Sequence, residues 1–272
     1  ARRHLAFSCE GSECLGTLDA APGTTGLLIV SGGNEIRAGA WNGQAWLAAR
    51  LAAAGHPVFR FDRRGVGDSA GENAGFTGSA ADIAAALTAF RAAAPQLRRV
   101  IAFGNCDAAS ALMLAQGAGC DGLVLSNPWT IDSPAADSAE AADESSAQPP
   151  EALRAHYARR LRDPAALLRL LRGGVPLRGL MISLRDMLRK PAPSSLVDRL
   201  RGGLAAYDAS TAGEVRILLA GRDRTAQIFL ARWDRSDPRL RHCVEASHSY
   251  VEPTAREWLV GQLLGALAPA NP

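Results

Sequence analysis

Short apolar runs recur along the chain, each closed off by turn residues. They are "GLLIVS" (26–31), "PVFRF" (57–61), "VIAFG" (100–104), "GLVLS" (122–126) and "VRILLA" (215–220). Their apolarity is continuous rather than alternating, as expected of parallel strands covered on both faces. A weaker run, "RHCVE" (241–245), predicts a last strand. Near the start, 3–8 and 14–19 predict two short strands joined by a glycine-containing turn. That makes about eight strands in all.

Helical patterns fill the gaps. "NGQAWLAARLAAAG" runs up to Gly55, a C-cap glycine. "GSAADIAAALTAFRAAAP" starts behind Ser79 as N-cap and stops at Pro95. "DAASALMLAQGAG", "DRTAQIFLARW" and "EPTAREWLVGQLLGAL" follow the later strands. Strand and helix alternate, which predicts an α/β fold with a mostly parallel sheet flanked by helices.

The alternation stops between 126 and 215. The first part of the gap, 132–150, carries five acidic residues and no basic one, with no aromatics, and predicts a mobile acidic loop. The rest is helical in pattern and rich in arginine. Nine arginines and one lysine fall in 154–190, Arg154, Arg159, Arg160, Arg162 and Arg169 among them. They form either a solvated helix face or a lining that attracts phosphate or carboxylate. The expected domains are a core of 1–130 and 211–272, with 131–210 inserted as a helical cap after the sixth strand.

Composition narrows the class. The chain has 272 residues, 47% of them apolar, and a formal charge of +3. That is enough for a large core, and too mild a charge to argue for nucleic acid. No apolar run is long enough to span a bilayer, and the first residues lack the apolar stretch of a signal peptide. The five cysteines, Cys9, Cys14, Cys106, Cys120 and Cys243, show no framework spacing. Cys9 and Cys14 flank a turn and are expected as thiols rather than a disulfide or metal pair. A reducing, cytoplasmic setting fits these features. No metal site or cofactor is expected.

The stretch "GNCDA" (104–108) lies between a strand pattern and a helix pattern. A G-x-S-x-G turn there would expose a nucleophile; here the nucleophile position is Cys106 and the last glycine is Ala108. A thiolate at Cys106 would sit at a helix N-terminus, which favours an anion. The other reading is an inert buried thiol. Asp223, in "GRDRTA" after "VRILLA", stands where the acid of a triad belongs, and also where a helix N-cap belongs. His248, in "EASHSYVEP", falls in the loop between the last strand and last helix. The order nucleophile, acid, histidine is met as a set. For the oxyanion, the first donor is the backbone N–H of Asp107. The second comes from the loop 31–35, with Asn34 favoured and Gly33 as the alternative. The Asp107 carboxylate itself suits the first turn of a helix.

The stretches "GGNEIRAG" (32–39), "LAAAGHPVFRFDRRGVGDSAGE" (51–72), "GNCDAAS" (104–110), "LVLSNPW" (123–129) and "HYARRL" (156–161) resemble the α/β-hydrolase superfamily. Within it they resemble the type 1 hydrolase associated with the exosortase A (PEP-CTERM) system. The resemblance implies the α/β-hydrolase fold, a Cys106–His248–Asp223 triad, and an enzyme that works beside exopolysaccharide and protein-sorting functions. It also implies substrate contacts at Arg37 and Trp129. At "GGNEIRAG" the chain departs from the family's Pro-Gln-Tyr-Arg-like run, keeping only Arg37.

The function expected from these residues is hydrolysis of an activated acyl compound (thioester, lactone or ester) through a covalent thioester. The substrate is a small acyl molecule, free or carried on coenzyme A or a carrier protein. Two alternatives stand beside it. One is an acyltransferase that hands the same acyl group to a sugar or amine. The other is a non-catalytic binding protein that kept the fold.

Overall fold

The computed structural model describes residues 1–132 and 194–268. Eight strands form one sheet: β1 (Arg2–Cys9), β2 (Ser12–Asp19), β3 (Thr25–Val30), β4 (Val58–Phe61), β5 (Arg99–Asn105), β6 (Gly122–Ser126), β7 (Val215–Ala220) and β8 (Leu240–Cys243). Their order across the sheet is β1-β2-β4-β3-β5-β6-β7-β8. Only β1–β2 and β2–β4 are antiparallel; all other neighbours run parallel. Among the described residues six α-helices accompany them: α1 (Gly43–Ala53), α2 (Ala80–Ala93), α3 (Asp107–Leu114), α4 (Ser195–Ser210), α5 (Arg224–Arg232) and α6 (Pro253–Leu267).

Each apolar run feeds two cores. Successive residues of a strand point to opposite faces of the sheet. Leu28, Val30, Phe59, Ala102, Leu125 and Leu219 therefore face α2, α3 and α4. Their neighbours Leu27, Ile29, Val58, Phe103, Val124 and Leu218 face α1 and α6. Continuous apolarity is the cost-free solution only when both faces are dry, and here both are.

The hairpin β1–β2 turns at Glu10 and Gly11, both at positive φ. Its register sets Cys14 opposite Phe7 and Cys9 opposite Ser12, and both thiols are free and buried. Gly55 follows α1 with φ 97°, as a C-cap glycine should. Ser79 precedes α2 but makes no side-chain cap. Its hydroxyl instead donates to the Gly75 carbonyl (2.7 Å) and accepts from Arg63 (2.8 Å).

The helix α4 lies inside the range expected for the insertion, yet it belongs to the core layer. Leu196, Val197, Leu200, Leu204 and Tyr207 are buried with the α2–α3 side of the sheet. A Cβ at Gly203 would come within 2.2 Å of the Met113 carbonyl oxygen, so α3 and α4 touch backbone to backbone. Ser194 caps it, accepting from the Val197 N–H. The acidic stretch expected to be a loop, apart from Asp132, and the arginine-rich stretch fall outside the described residues.

Candidate active site

The parallel strands β5, β6 and β7 all end on one edge of the sheet, and the candidate residues gather there. β5 runs into α3 through Cys106, whose backbone is left-handed (φ 61°, ψ −126°). Such a conformation is strained for any residue but glycine. Space for the bend comes from Gly104, where a Cβ would lie 2.7 Å from the Ala108 carbonyl carbon. Ala108 stands where a second glycine was expected. Its methyl is fully buried in the core, so the departure costs no room. The Cys106 N–H is held by the Ser126 carbonyl (2.9 Å). The side chain is half-buried rather than sealed.

Asp223 ends the turn after β7. Its carboxylate does two jobs at once. It caps α5, accepting from the Thr225 N–H (3.2 Å) and the Ala226 N–H (3.1 Å). It also receives Nδ1 of His248 at 3.0 Å. The cap and the triad reading are therefore compatible, because a carboxylate has lone pairs for both.

His248 projects from the loop after β8 with its ring two-thirds covered. It is hydrogen-bonded to Asp223 on one side and faces Cys106 on the other, near enough for that side chain to raise the imidazole pKa. Burial pulls the imidazole pKa down. Asp223 and Cys106, with their charges, outweigh it and push the value up to about 10. The backbone behind the ring is tied down as well. The His248 carbonyl accepts from Asn105 Nδ2 (3.2 Å) and Asn127 Nδ2 (3.4 Å). Asn127 also donates to Asn105 Oδ1 and accepts the Ala220 N–H (2.8 Å). The ends of β5, β6 and β7 and the histidine loop thus share one amide cluster.

Sequence reasoning gave Asn105 and Asn127 no role. The signal lay in "NPW": Asn127 is fully buried and sits at φ 45°, a conformation asparagine tolerates better than most residues. It also overlooked Arg63, buried in "FDRRG", which donates to the Gly33 carbonyl and the Ser79 hydroxyl. Burial lowers the Arg63 pKa, opposed by the charges of Asp107 and Asp82.

The three candidate oxyanion donors differ in state. The Asp107 N–H opens α3, where no intrahelical partner exists. The Gly33 N–H is already occupied, by the carboxylate of Asp107. Asn34 is exposed, and its side chain accepts from Asn73 (2.9 Å).

The two residues expected as substrate contacts, Arg37 and Trp129, have partners within the chain. Arg37 pairs with Asp62 and with Asp68 (2.8 Å), and its Nε donates to Thr17 (3.1 Å). That is a brace between the loop after β3, β2 and the turn after β4. Trp129 does lie against the elbow: its N–H donates to the Cys106 carbonyl (3.3 Å). Its indole N–H, however, donates to the Ile131 carbonyl (3.0 Å).

Beside Asn105 and Tyr250 opens a pocket rimmed by Glu35, Trp41, Trp46 and Arg256. Trp41 is 86% exposed there. Burial raises the Glu35 carboxyl pKa, against the opposing charge of His248. Among the described residues, no three potential ligands cluster to hold a metal, and no helix is long and apolar enough to cross a membrane.

Comparison with known proteins agrees with this architecture. The esterase Pf2001 of Pyrococcus furiosus superposes with a TM-score of 0.55 at 14% identity, over 98% of this chain and 89% of its own. XC6422 from Xanthomonas campestris, described as an a/b serine hydrolase without lid, gives 0.56 at 16%, over 100% and 97%. The alpha/beta hydrolase GrgF from Penicillium sp. sh18 gives 0.60 at 16%, over 98% of each chain. At such identities the likeness speaks for the fold. Among curated proteins no sequence matches. The family model described as "Alpha/beta hydrolase family" matches residues 27–262, and the chain belongs to that family.

Proposed function

We propose that this protein hydrolyses activated acyl compounds with Cys106 as nucleophile, His248 as general base and acid, and Asp223 as the carboxylate that orients the imidazole. The observation that carries the reading is His248 paired with Asp223 and set beside a cysteine on a strained elbow. A raised imidazole pKa keeps the ring cationic, and a cation beside sulfur favours the thiolate that attacks. The sulfur bonds to the acyl carbon, and the carbonyl π pair moves onto oxygen. As the intermediate collapses, the bond to the leaving group breaks and His248 protonates that group. Water then attacks the thioester, His248 taking its proton; the C–S bond breaks, the acid is released and the thiolate–imidazolium pair is restored.

Sulfur directs the substrate class. A thiolate leaves a tetrahedral intermediate more readily than an alkoxide does. Net transfer from an alkyl ester is therefore poor, whereas thioesters, aryl esters and lactones react well. Coenzyme A or a carrier protein is the acyl donor that fits this preference and the arginine-rich insertion. The "CDAAS" and "NPW" stretches support the exosortase-associated branch. The free cysteines fit a reducing, cytoplasmic setting, and the place of the insertion after the sixth strand supports a cap, with α4 assigned to the core.

The test is direct. The protein is incubated with a p-nitrophenyl ester or an acyl thioester, quenched, and mapped by mass spectrometry. The acyl mass on the peptide bearing Cys106, absent in Cys106→Ala, is expected. Turnover that survives Cys106→Ala would overturn the assignment.

A further inference from the structure

The Asp107 side chain has no part in the triad, yet it is held at the oxyanion loop. Both of its carboxylate oxygens lie 2.8 Å from the Gly33 nitrogen and accept its N–H. The seat is close-fitting. A Cβ on Gly32 would fall 2.4 Å from Asp107 Oδ1 and 3.0 Å from the Asn105 carbonyl oxygen, so only glycine leaves room there. On the other side of the same residue, the buried guanidinium of Arg63 donates to the Gly33 carbonyl. One residue is thus gripped on both sides, by an anion at its N–H and a cation at its C=O, so the two consecutive peptide groups that meet at Gly33 are both held. The first turn of α3 also favours a negative charge at Asp107.

Acyl transfer needs donors aimed at the oxygen that becomes negative. The Asp107 N–H is one. The Gly33 N–H, on the loop that should supply the other, already holds an anion. Resting on the acyl-transfer reading above, we propose that the Asp107 carboxylate is a resident occupant of the oxyanion site, and that it leaves Gly33 when the acyl oxygen takes its place. Asp107 is then a specificity-determining residue. Charge-assisted hydrogen bonds are roughly twice as strong as neutral ones, so a neutral carbonyl competes poorly for this N–H. A tetrahedral oxyanion competes well. The exchange happens late, as charge develops on oxygen, and it admits acyl groups that reach that point easily. Alkyl esters are turned away twice, by the sulfur and by the carboxylate.

The test separates the oxyanion site from the reactivity of the sulfur. Asp107→Asn keeps the shape and one acceptor but removes the charge. Asp107→Ser is a second variant in case the amide disturbs the turn. For the wild type and both variants, two rates are measured at Cys106 at neutral pH: acylation by a p-nitrophenyl ester and alkylation by iodoacetamide. Alkylation uses no oxyanion donor and reports the thiolate alone. The ratio of acylation to alkylation is expected to rise about tenfold in the variants, the effect of about 1.4 kcal/mol on the barrier. A ratio that is unchanged or lower in both variants overturns the proposal, since the carboxylate would then only hold the loop or tune the thiol. If all three proteins are alkylated at Cys106 and none is acylated, the acyl-transfer reading falls first and takes the inference with it.

Discussion

Asp223 Oδ2 lies 3.0 Å from His248 Nδ1 while the same carboxylate caps α5 through the Thr225 and Ala226 amides. Under the proposed mechanism one side chain joins helix stability to catalysis, and its variants separate the two. Asp223→Asn retains an acceptor for the cap but offers the wrong partner to the imidazole. Acylation of Cys106 is expected to fall by about 10³–10⁴-fold, as for other triads that lose the tautomer-setting carboxylate, with little change in melting temperature. Asp223→Ala is expected to lose the same activity and about 1 kcal/mol of stability as well. Acylation kinetics and thermal melts check both. An active Asp223→Asn would remove Asp223 from the mechanism.

The raised pKa of His248 makes stability depend on pH in a stated direction. The folded value, about 10, lies above the ordinary imidazole value near 6.5. The folded state therefore binds the proton more tightly than the unfolded chain does. That contribution is fully present below about pH 6.5 and is lost as pH rises toward 10. Chemical denaturation between pH 6.5 and 10 is expected to show falling stability, and the fall is expected to shrink in His248→Gln. Equal slopes in both proteins would contradict the assignment of the shift.

Asn127 is a positioning residue in this structure. Its amide accepts from the Ala220 N–H and donates toward the His248 carbonyl and Asn105. Asn127→Ala leaves the buried Ala220 N–H without its acceptor, at a cost of about 1–3 kcal/mol. It also releases the loop that aims the imidazole. A lower kcat with little change in KM is expected, together with a lower melting temperature. Asn127→Asp, which keeps the acceptor for Ala220, is expected to recover stability more than activity. Recovery of both to the same degree would make the role purely structural.

The strands, most of the helices and the places of the candidate residues after strands were legible because they follow from one-dimensional patterns. Continuous apolar runs such as "GLLIVS" and "GLVLS" mean burial on both faces, and Cys106, Asp223 and His248 each follow a strand. The roles of polar side chains were less legible, because a partner distant in sequence decides them. Ser79 looked like an N-cap, but Arg63 and Gly75 claim its hydroxyl. Asn34 was favoured over Gly33 as a donor, and nothing one-dimensional shows that the Asp107 carboxylate sits on the Gly33 N–H. The helix α4 was hidden in a charged, arginine-bearing stretch. Its apolar stripe of Leu196, Leu200, Leu204 and Tyr207 faces α3.

Arg37 gives the sharpest contrast between a substrate contact and a brace. Resemblance alone gives it to the substrate. In the structure its guanidinium is taken by Asp62, Asp68 and Thr17, and its backbone N–H also donates to Asp62. Asp62 is fully buried. Removing the guanidinium leaves a buried carboxylate without its cation, and breaking such a pair costs about 3–5 kcal/mol. Arg37→Met is therefore expected to melt well below the wild type while KM for a small aryl ester stays near its wild-type value. The double variant Arg37→Met with Asp62→Asn removes both charges. It is expected to regain part of the lost stability, since no unpaired buried charge remains. Thermal melts and steady-state kinetics on the three proteins decide the matter. A single variant with wild-type stability and a strongly raised KM would return Arg37 to the substrate.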